Sequence, residues 1–428
     1  MKKIHTTGRM IILNTYWLGL SFKWNAIHPI ILPAVMLNYV PETLKNTYLG
    51  MLTFAGLILA AFLQPVAGAI SDDWHSRWGR RRPLMVVSAL LDLVFLAIIG
   101  WAGGLQWLII GYIGLQFSSN LGQGPAQGLM PDRVAPEKLG AASGIKTFMD
   151  MTALIIASLA AGRLLDPEGK DPTLIILALM GVMVVSTAIT VLGTQEEPTN
   201  LPAGTKKGES WWRYLRRQLH VDFRENSAYW LLIGQRLVFM MGIFAVQGFA
   251  QYYLKDVLKV ENPVKTTGDL LAALTVALII LAVAGGWLVD RFGAKRILAI
   301  ASVLTAIGMI LLRLAPTPGS LIVYGSVVGA GIGLFLTASW ALSNRLAPSD
   351  QAGKFLGLTN LATAGAGALS HLEGPLIDVA NNAFPGMWMG YTGMFVFGSI
   401  SAIVSLVILS KIDLKEVEAK EYNSQDPT

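Results

Sequence analysis

Apolar residues in this chain run in long unbroken stretches, not in stripes or strict alternation. A helix crossing ~30 Å of hydrocarbon needs about 20 mostly apolar residues. Twelve stretches meet that requirement: 12–38, 47–71, 83–103, 106–130, 141–165, 172–194, 228–253, 267–289, 294–314, 319–343, 355–379 and 386–410, numbered here as spans 1 to 12. Their continuity excludes a β-barrel, whose strands alternate apolar and polar positions. Glycine and proline inside the runs suit lipid-embedded helices, because neighbouring helices re-satisfy broken backbone bonds. Small-residue spacings such as Gly365/Gly367 and Ala157/Ala161 permit close helix packing. Span 1 begins near residue 11, is longer than a secretory leader's core and has no small-residue cleavage site, so it is read as a membrane helix.

Composition agrees with this pattern. Only 14% of the 428 residues are charged, against about 25% in soluble domains, so a soluble enzyme is excluded. Cysteine is absent, which removes disulfide scaffolds, thiolate metal sites and cysteine nucleophiles together. The net charge of +6 could suggest nucleic acid, but its placement argues otherwise. With both ends inside, the cytoplasmic segments hold 24 of the 33 Lys and Arg, and the outer loops hold seven: Lys45, Arg163, Lys170, Lys255, Lys259, Lys265 and Arg313. Basic residues gather on the cytoplasmic side of membrane proteins. The expectation is therefore a multi-pass protein of the cell (inner) membrane with cytoplasmic termini, contacting lipid and no nucleic acid, and working as a monomer.

Two signatures recur in order. Gly68-Ala-Ile-Ser-Asp72 follows span 2 and leads through Gly79 into Arg80, Arg81, Arg82 and Pro83. Gly286-Trp-Leu-Val-Asp290-Arg291-Phe-Gly293-Ala-Lys-Arg296 follows span 8. Arg133-Val-Ala-Pro136 after span 4 is matched by Arg345-Leu-Ala-Pro348 after span 10. Asp72 to Asp290 is 218 residues and Arg133 to Arg345 is 212, so the second half repeats the first. The expected fold class is thus an all-α membrane protein of twelve transmembrane helices in two pseudo-symmetric six-helix halves. Residues 1–195 form the first bundle and 228–410 the second. Residues 196–227, with Trp211, Trp212 and several arginines, read as a cytoplasmic linker holding an interfacial amphipathic helix. Residues 411–428 form a cytoplasmic tail.

The pattern at 286–296 resembles the loop signature of the major facilitator superfamily, and the twelve-span arrangement extends the resemblance over the whole chain. The longer first-half form, Ser-Arg-Trp-Gly79-Arg-Arg-Arg-Pro83, resembles the glycoside–pentoside–hexuronide cation symporters. Among these it is nearest the plant sucrose transporters and their animal relatives, to which Asn120-Leu-Gly-Gln123-Gly-Pro125 is also similar. The resemblance implies the major facilitator fold, alternating access, and a cavity lined by spans 1, 4, 7 and 10.

Helical spacing shows that those spans can line a wet cavity. Gln116, Asn120, Gln123 and Gln127 form an amide stripe on span 4. Trp24, Asn25 and His28 share a face of span 1, Arg236 and Gln247 one of span 7, and Trp340 lies on span 10 and Asn360 on span 11. Amides facing lipid are costly, so these side chains must face protein or water. One amide alone is as well explained by an interhelical hydrogen bond; a stripe of four favours a substrate-binding wall suited to a polyol. Asp72, Gly79, Arg80, Arg81, Asp290, Arg291, Gly293 and Arg296 are the candidate gating residues, able to form ion pairs that break when the inner side opens; simple anchoring of the arginines is the plainer reading.

Coupling departs from the resembled families. Where melibiose-type carriers carry cation-binding carboxylates, this chain appears with Gln64 and Gln123, and the sucrose-carrier acid would fall near Gln116. The remaining coupling candidates are Asp92 in span 3 and Asp150 in span 5, with Lys23, His28 and Arg236 as partners. Lys146, four residues before Asp150, offers a structural pair instead. No phosphate-cradling loop, metal spacing or catalytic triad is present, so no cofactor or metal is expected and the chain is not read as an enzyme. The preferred function is uptake of a sugar, glycoside or similar small polar solute, coupled to a proton, with Na⁺ or uncoupled transport left open. The alternatives are an exporter of amphipathic drugs or lipids by proton antiport and a non-transporting membrane sensor.

Overall fold

The computed structural model describes residues 3–72, 74, 76–194, 196, 227–347 and 352–412. The amphipathic-helix reading of 196–227 falls outside the described residues except for Glu196 and Ser227, as does the tail beyond Ile412.

The described residues form fourteen α-helices that account for twelve spans. Span 1 is α1 (Thr7–Ala26) and α2 (Leu32–Met36), joined by a wide turn over Ile27–Ile31 in which Leu32 N–H reaches back to the Ile27 carbonyl. Pro29 and Pro33 lack the N–H groups that a regular helix would use here, and such wide turns are frequent at functional sites. Spans 2 to 6 are α3 (Lys45–Asp72), α4 (Arg82–Gly100), α5 (Leu105–Arg133), α6 (Leu139–Leu164) and α7 (Thr173–Gly193). Spans 7 to 10 are α8 (Ser227–Asp256), α9 (Pro263–Phe292), α10 (Ala294–Leu314) and α11 (Pro318–Leu346), the last started by a reciprocal Thr317/Ser320 cap. Span 11 is split into α12 (Ala352–Ser370) and α13 (Glu373–Ala383), and span 12 is α14 (Met389–Ser410).

Nine of these spans are long and apolar enough to cross a membrane by composition alone. The three that fall short are spans 1, 4 and 11, two of them broken and span 4 rich in amides. Large apolar side chains such as Phe148, Leu192, Val283 and Leu314 lie exposed on the helices, as lipid contact requires.

Contacts divide the chain into two compact units. The first holds the described residues of 1–203 with 247–275 and 371–390. In it α1 packs on α6 and α7, α5 on α3 and α4, and α13 on α3. The second holds the described residues of 204–246, 276–370 and 391–428, with α10 packed on α11.

Candidate functional site

In the first unit, spans 1 and 4 present a connected polar surface. The wide turn carries His28, whose Nε2 lies 3.0 Å from the Tyr112 hydroxyl and 3.3 Å from Gln116 Nε2. Gln116 Nε2 donates to the same hydroxyl at 2.9 Å. Trp24 stacks on the imidazole with ring centroids 4.7 Å apart. Asn120 donates to the Gln116 carbonyl at 2.8 Å, and Asn25 to the Ser21 carbonyl at 2.8 Å. The amide stripe is thus graded: Gln116 and Asn120 are buried and bonded, Gln123 is half-buried and Gln127 exposed. Gln116 has a tertiary partner, whereas Gln123 and Gln127 have no side-chain hydrogen bond among the described residues and are free to meet a solute or water. Tyr112 was missed from the sequence because an aromatic in an apolar run reads as packing.

Both coupling candidates are charge-compensated. Asp92 and Lys23 are fully buried and form an ion pair. Lys23 also donates to Ser119, while Ser118 and Ser119 donate to Asp92 Oδ1, the latter at 2.9 Å. Removing two charges from water is costly, and a paired, fully bonded geometry is what makes it tolerable. Asp150 accepts from Ser21 at 2.6 Å and pairs with Lys146 at 2.7 Å, and Lys146 sits 4.0 Å from the centre of the Trp17 ring. A third carboxylate was overlooked: Glu373, at the start of α13, has a buried Oε2 without a hydrogen-bond partner among the described residues. Its signal was a carboxylate inside span 11.

The second unit centres on Arg236 of α8. Its Nε donates to Thr363 and its Nη1 to Ser339, both at 2.8 Å, and the guanidinium lies 5.3 Å from the Trp340 ring. Arg236 is 3% exposed and Trp340 half-buried. Asn360, one turn before Thr363 on α12, is exposed and without a hydrogen bond among the described residues. Gln247 is half-buried, likewise unbonded, and belongs to the first unit.

The two signature loops differ. Arg81 is buried, pairing with Asp72 at 2.5 Å and with Asp132 at 3.0 Å, and Arg80 pairs with Asp132 at 2.8 Å. Gly79 adopts φ +94°, and a Cβ there would lie 2.2 Å from Glu196 Oε2, so only glycine fits. That carboxylate accepts from the Arg81 and Arg82 backbone N–H groups at 3.0 and 3.2 Å, capping the start of α4. In the repeat, Asp290 and Arg296 are exposed with no ion pair among the described residues, and Arg291 lies over the Trp287 and Phe292 rings. Gly293 turns with φ +84°. Asn344 stands where the first half has Asp132, which removes the bridging carboxylate.

At the other end of the first unit lies a layer that sequence reading did not foresee. Lys45 is nearly buried between Glu42 and Asp256, at 2.6 Å from each, and Lys255 also pairs with Glu42. Asp378 of α13 accepts from Asn46 at 2.8 Å and from the Thr47 backbone at 2.6 Å. Gly50 of α3 and Gly374 of α13 let the two backbones touch: a Cβ would lie 2.3 Å from the His371 carbonyl oxygen or 2.2 Å from that of Asn46. Apart from the local Glu42–Lys45 pair, the partners come from opposite halves of the sequence, so no local pattern announces them.

The profile of the Major Facilitator Superfamily matches residues 18–371 and 259–424. Inositol transporter 4 of Arabidopsis thaliana is 27% identical over 40% of this chain and 28% of its own length. Sucrose transport protein SUT1 of Oryza sativa subsp. japonica is 26% identical over 32% and 29%. The chain thus aligns with less than a third of these plant relatives. Multidrug resistance protein MdtG of Serratia proteamaculans is 23% identical over 92% of this chain and 90% of its own. Among solved structures, a bacterial homologue of the human lysosomal transporter Spinster superposes with TM-score 0.69 at 15% identity, covering 97% of each chain. A D-xylose–proton symporter superposes with TM-score 0.69 at 16% identity, covering 94% of this chain and 97% of its own. With the profile spanning nearly every helix, the chain belongs to the Major Facilitator Superfamily.

Proposed function

We propose that this protein is a secondary carrier that takes up a sugar, glycoside or similar small polar solute by alternating access, coupled to a proton, in the cell (inner) membrane with both termini cytoplasmic. The observation that carries the reading is the bonded surface of Trp24, His28, Tyr112, Gln116 and Asn120, leading to unbonded Gln123 and Gln127. Amides match hydroxyl groups, and Trp24 offers an apolar face for a sugar ring. Support for uptake of this class also comes from the likeness to inositol and sucrose transporters.

Asp92 is the preferred coupling group. Its protonation would release Lys23 and both serine hydroxyls, linking one proton to the packing of α1, α4 and α5. Asp150, less buried and tied to Lys146 and Ser21, is the competing group. The layer of Lys45, Glu42, Asp256, Lys255 and Asp378 would be the gate opposite the Asp72–Arg81–Asp132 network, and the two would open in alternation.

The test is uptake of a panel of sugars and polyols into liposomes with and without a pH or Na⁺ gradient, repeated with Asp92→Asn and Asp150→Asn. Sugar uptake driven by a pH gradient and lost in Asp92→Asn is the expected result. The second reading, export of amphipathic compounds, rests on the likeness to MdtG over nine-tenths of the chain. Flux of lipophilic cations without flux of sugars would establish it and refute the first.

A further inference from the structure

Interior cations in the first unit each meet an aspartate: Lys23 pairs with Asp92, and Lys146 with Asp150. Arg236 in the second unit does not. Two hydroxyls and an indole ring surround it, with no carboxylate among the described residues. A guanidinium this buried is expensive unless an anion compensates it. Its contacts do not supply one; they fix its pose. Thr363 holds Nε, Ser339 holds Nη1 and Trp340 backs the plane, which leaves the Nη2 edge without a hydrogen bond among the described residues. A planar guanidinium clamped in this way presents its remaining donors to an oxyanion in fixed geometry.

We infer that Arg236 is an oxyanion-binding site and that the transported solute is acidic: a polyhydroxylated molecule carrying a carboxylate, sulfate or phosphate group. The inference rests on the carrier reading above and replaces its neutral polyol with a charged one. Asn360, three residues from Thr363 and therefore on a neighbouring part of the same helix face, is unbonded and suited to an adjoining hydroxyl. A neutral solute would leave the buried charge uncompensated by any described residue, whereas an acidic one would neutralise it on binding.

The experiment uses the full chain in lipid nanodiscs and two matched pairs of probes, sorbitol with gluconate and glucose with glucose 6-phosphate. Binding is read by calorimetry and thermal shift. One member of each pair carries the charge, so the difference within a pair reports the oxyanion. A hydrogen-bonded charge pair corresponds to roughly 10- to 150-fold in Kd, and at least one acidic probe is expected to exceed its neutral partner by that factor. Arg236→Gln, whose amide can still bond Thr363 but carries no charge, should remove the difference within each pair. Arg236→Lys, which keeps the charge and loses the fork, should retain part of it. Equal binding within both pairs overturns the inference and leaves the carrier reading standing. An acidic preference that survives in a folded Arg236→Gln protein overturns the assignment to Arg236. Failure of all four probes to bind, while lipophilic compounds do, overturns the sugar-carrier reading together with this inference.

Discussion

Gly50 offers the sharpest test of the packed layer at the Lys45 end. A Cβ there would lie 2.3 Å from the His371 carbonyl oxygen, 1.1 Å short of the 3.4 Å at which ordinary contact begins. The obstacle is backbone, so no rotamer change can relieve it; α3 and α13 must separate. Overpacking of this kind costs about 1–3 kcal/mol, and alanine recovers up to about 1 kcal/mol of helix propensity over glycine. Gly50→Ala should therefore disfavour the packed layer by roughly 1–2 kcal/mol. If the layer is one of two alternating states, that is about a 5- to 30-fold shift in population. Because the chain contains no cysteine, spin labels can be placed on introduced cysteines without background mutations. Exposed Leu44, just before α3, and exposed Phe384, just after α13, are suitable positions. Pulsed dipolar spectroscopy should show Gly50→Ala moving population to longer distances. Gly181→Ala, at a helical glycine with open space around it, should not. An unchanged distribution in a stable Gly50→Ala protein would refute both the contact and the gate built on it.

Two further outcomes separate structural from functional charge. Asp92→Asn and Lys23→Met should each destabilise the protein by about 3–5 kcal/mol, because each strands one buried charge, and the double variant should lose less than the sum. Denaturation midpoints in lipid mimetics measure this cycle, and simple additivity would disprove the pair. Glu373→Gln should leave stability unchanged or raise it, since the buried Oε2 has no partner to lose and the amide carries no charge to desolvate. A fall in melting temperature comparable to that of Asp92→Asn would reveal a bond to this carboxylate that no described residue makes to Oε2, and would refute the reasoning.

What could be read from the chain and what could not follow from the range of the interactions involved. Twelve runs, their duplication and the two glycine turns are local properties, so the all-α membrane fold and the family were legible before any coordinates. The Lys146–Asp150 pair was equally local, four residues apart on one helix. Lys23 and Asp92 were each visible as charges in apolar runs, yet their union spans 69 residues and requires Ser118 and Ser119 on a third helix. Serine in a membrane helix carries too little signal to have been picked out. Repetition also misled, because the duplicated Asp72 and Asp290 promised equivalent networks. Asp72 works through Arg81 and the bridging Asp132, and the repeat holds Asn344 at that place, so one substitution outside the conspicuous motif separates the two loops. The amide stripe had suggested a neutral polyol. The partners of the charges change that chemistry: Asp92 and Asp150 each pair with a lysine, whereas Arg236 meets no carboxylate among the described residues.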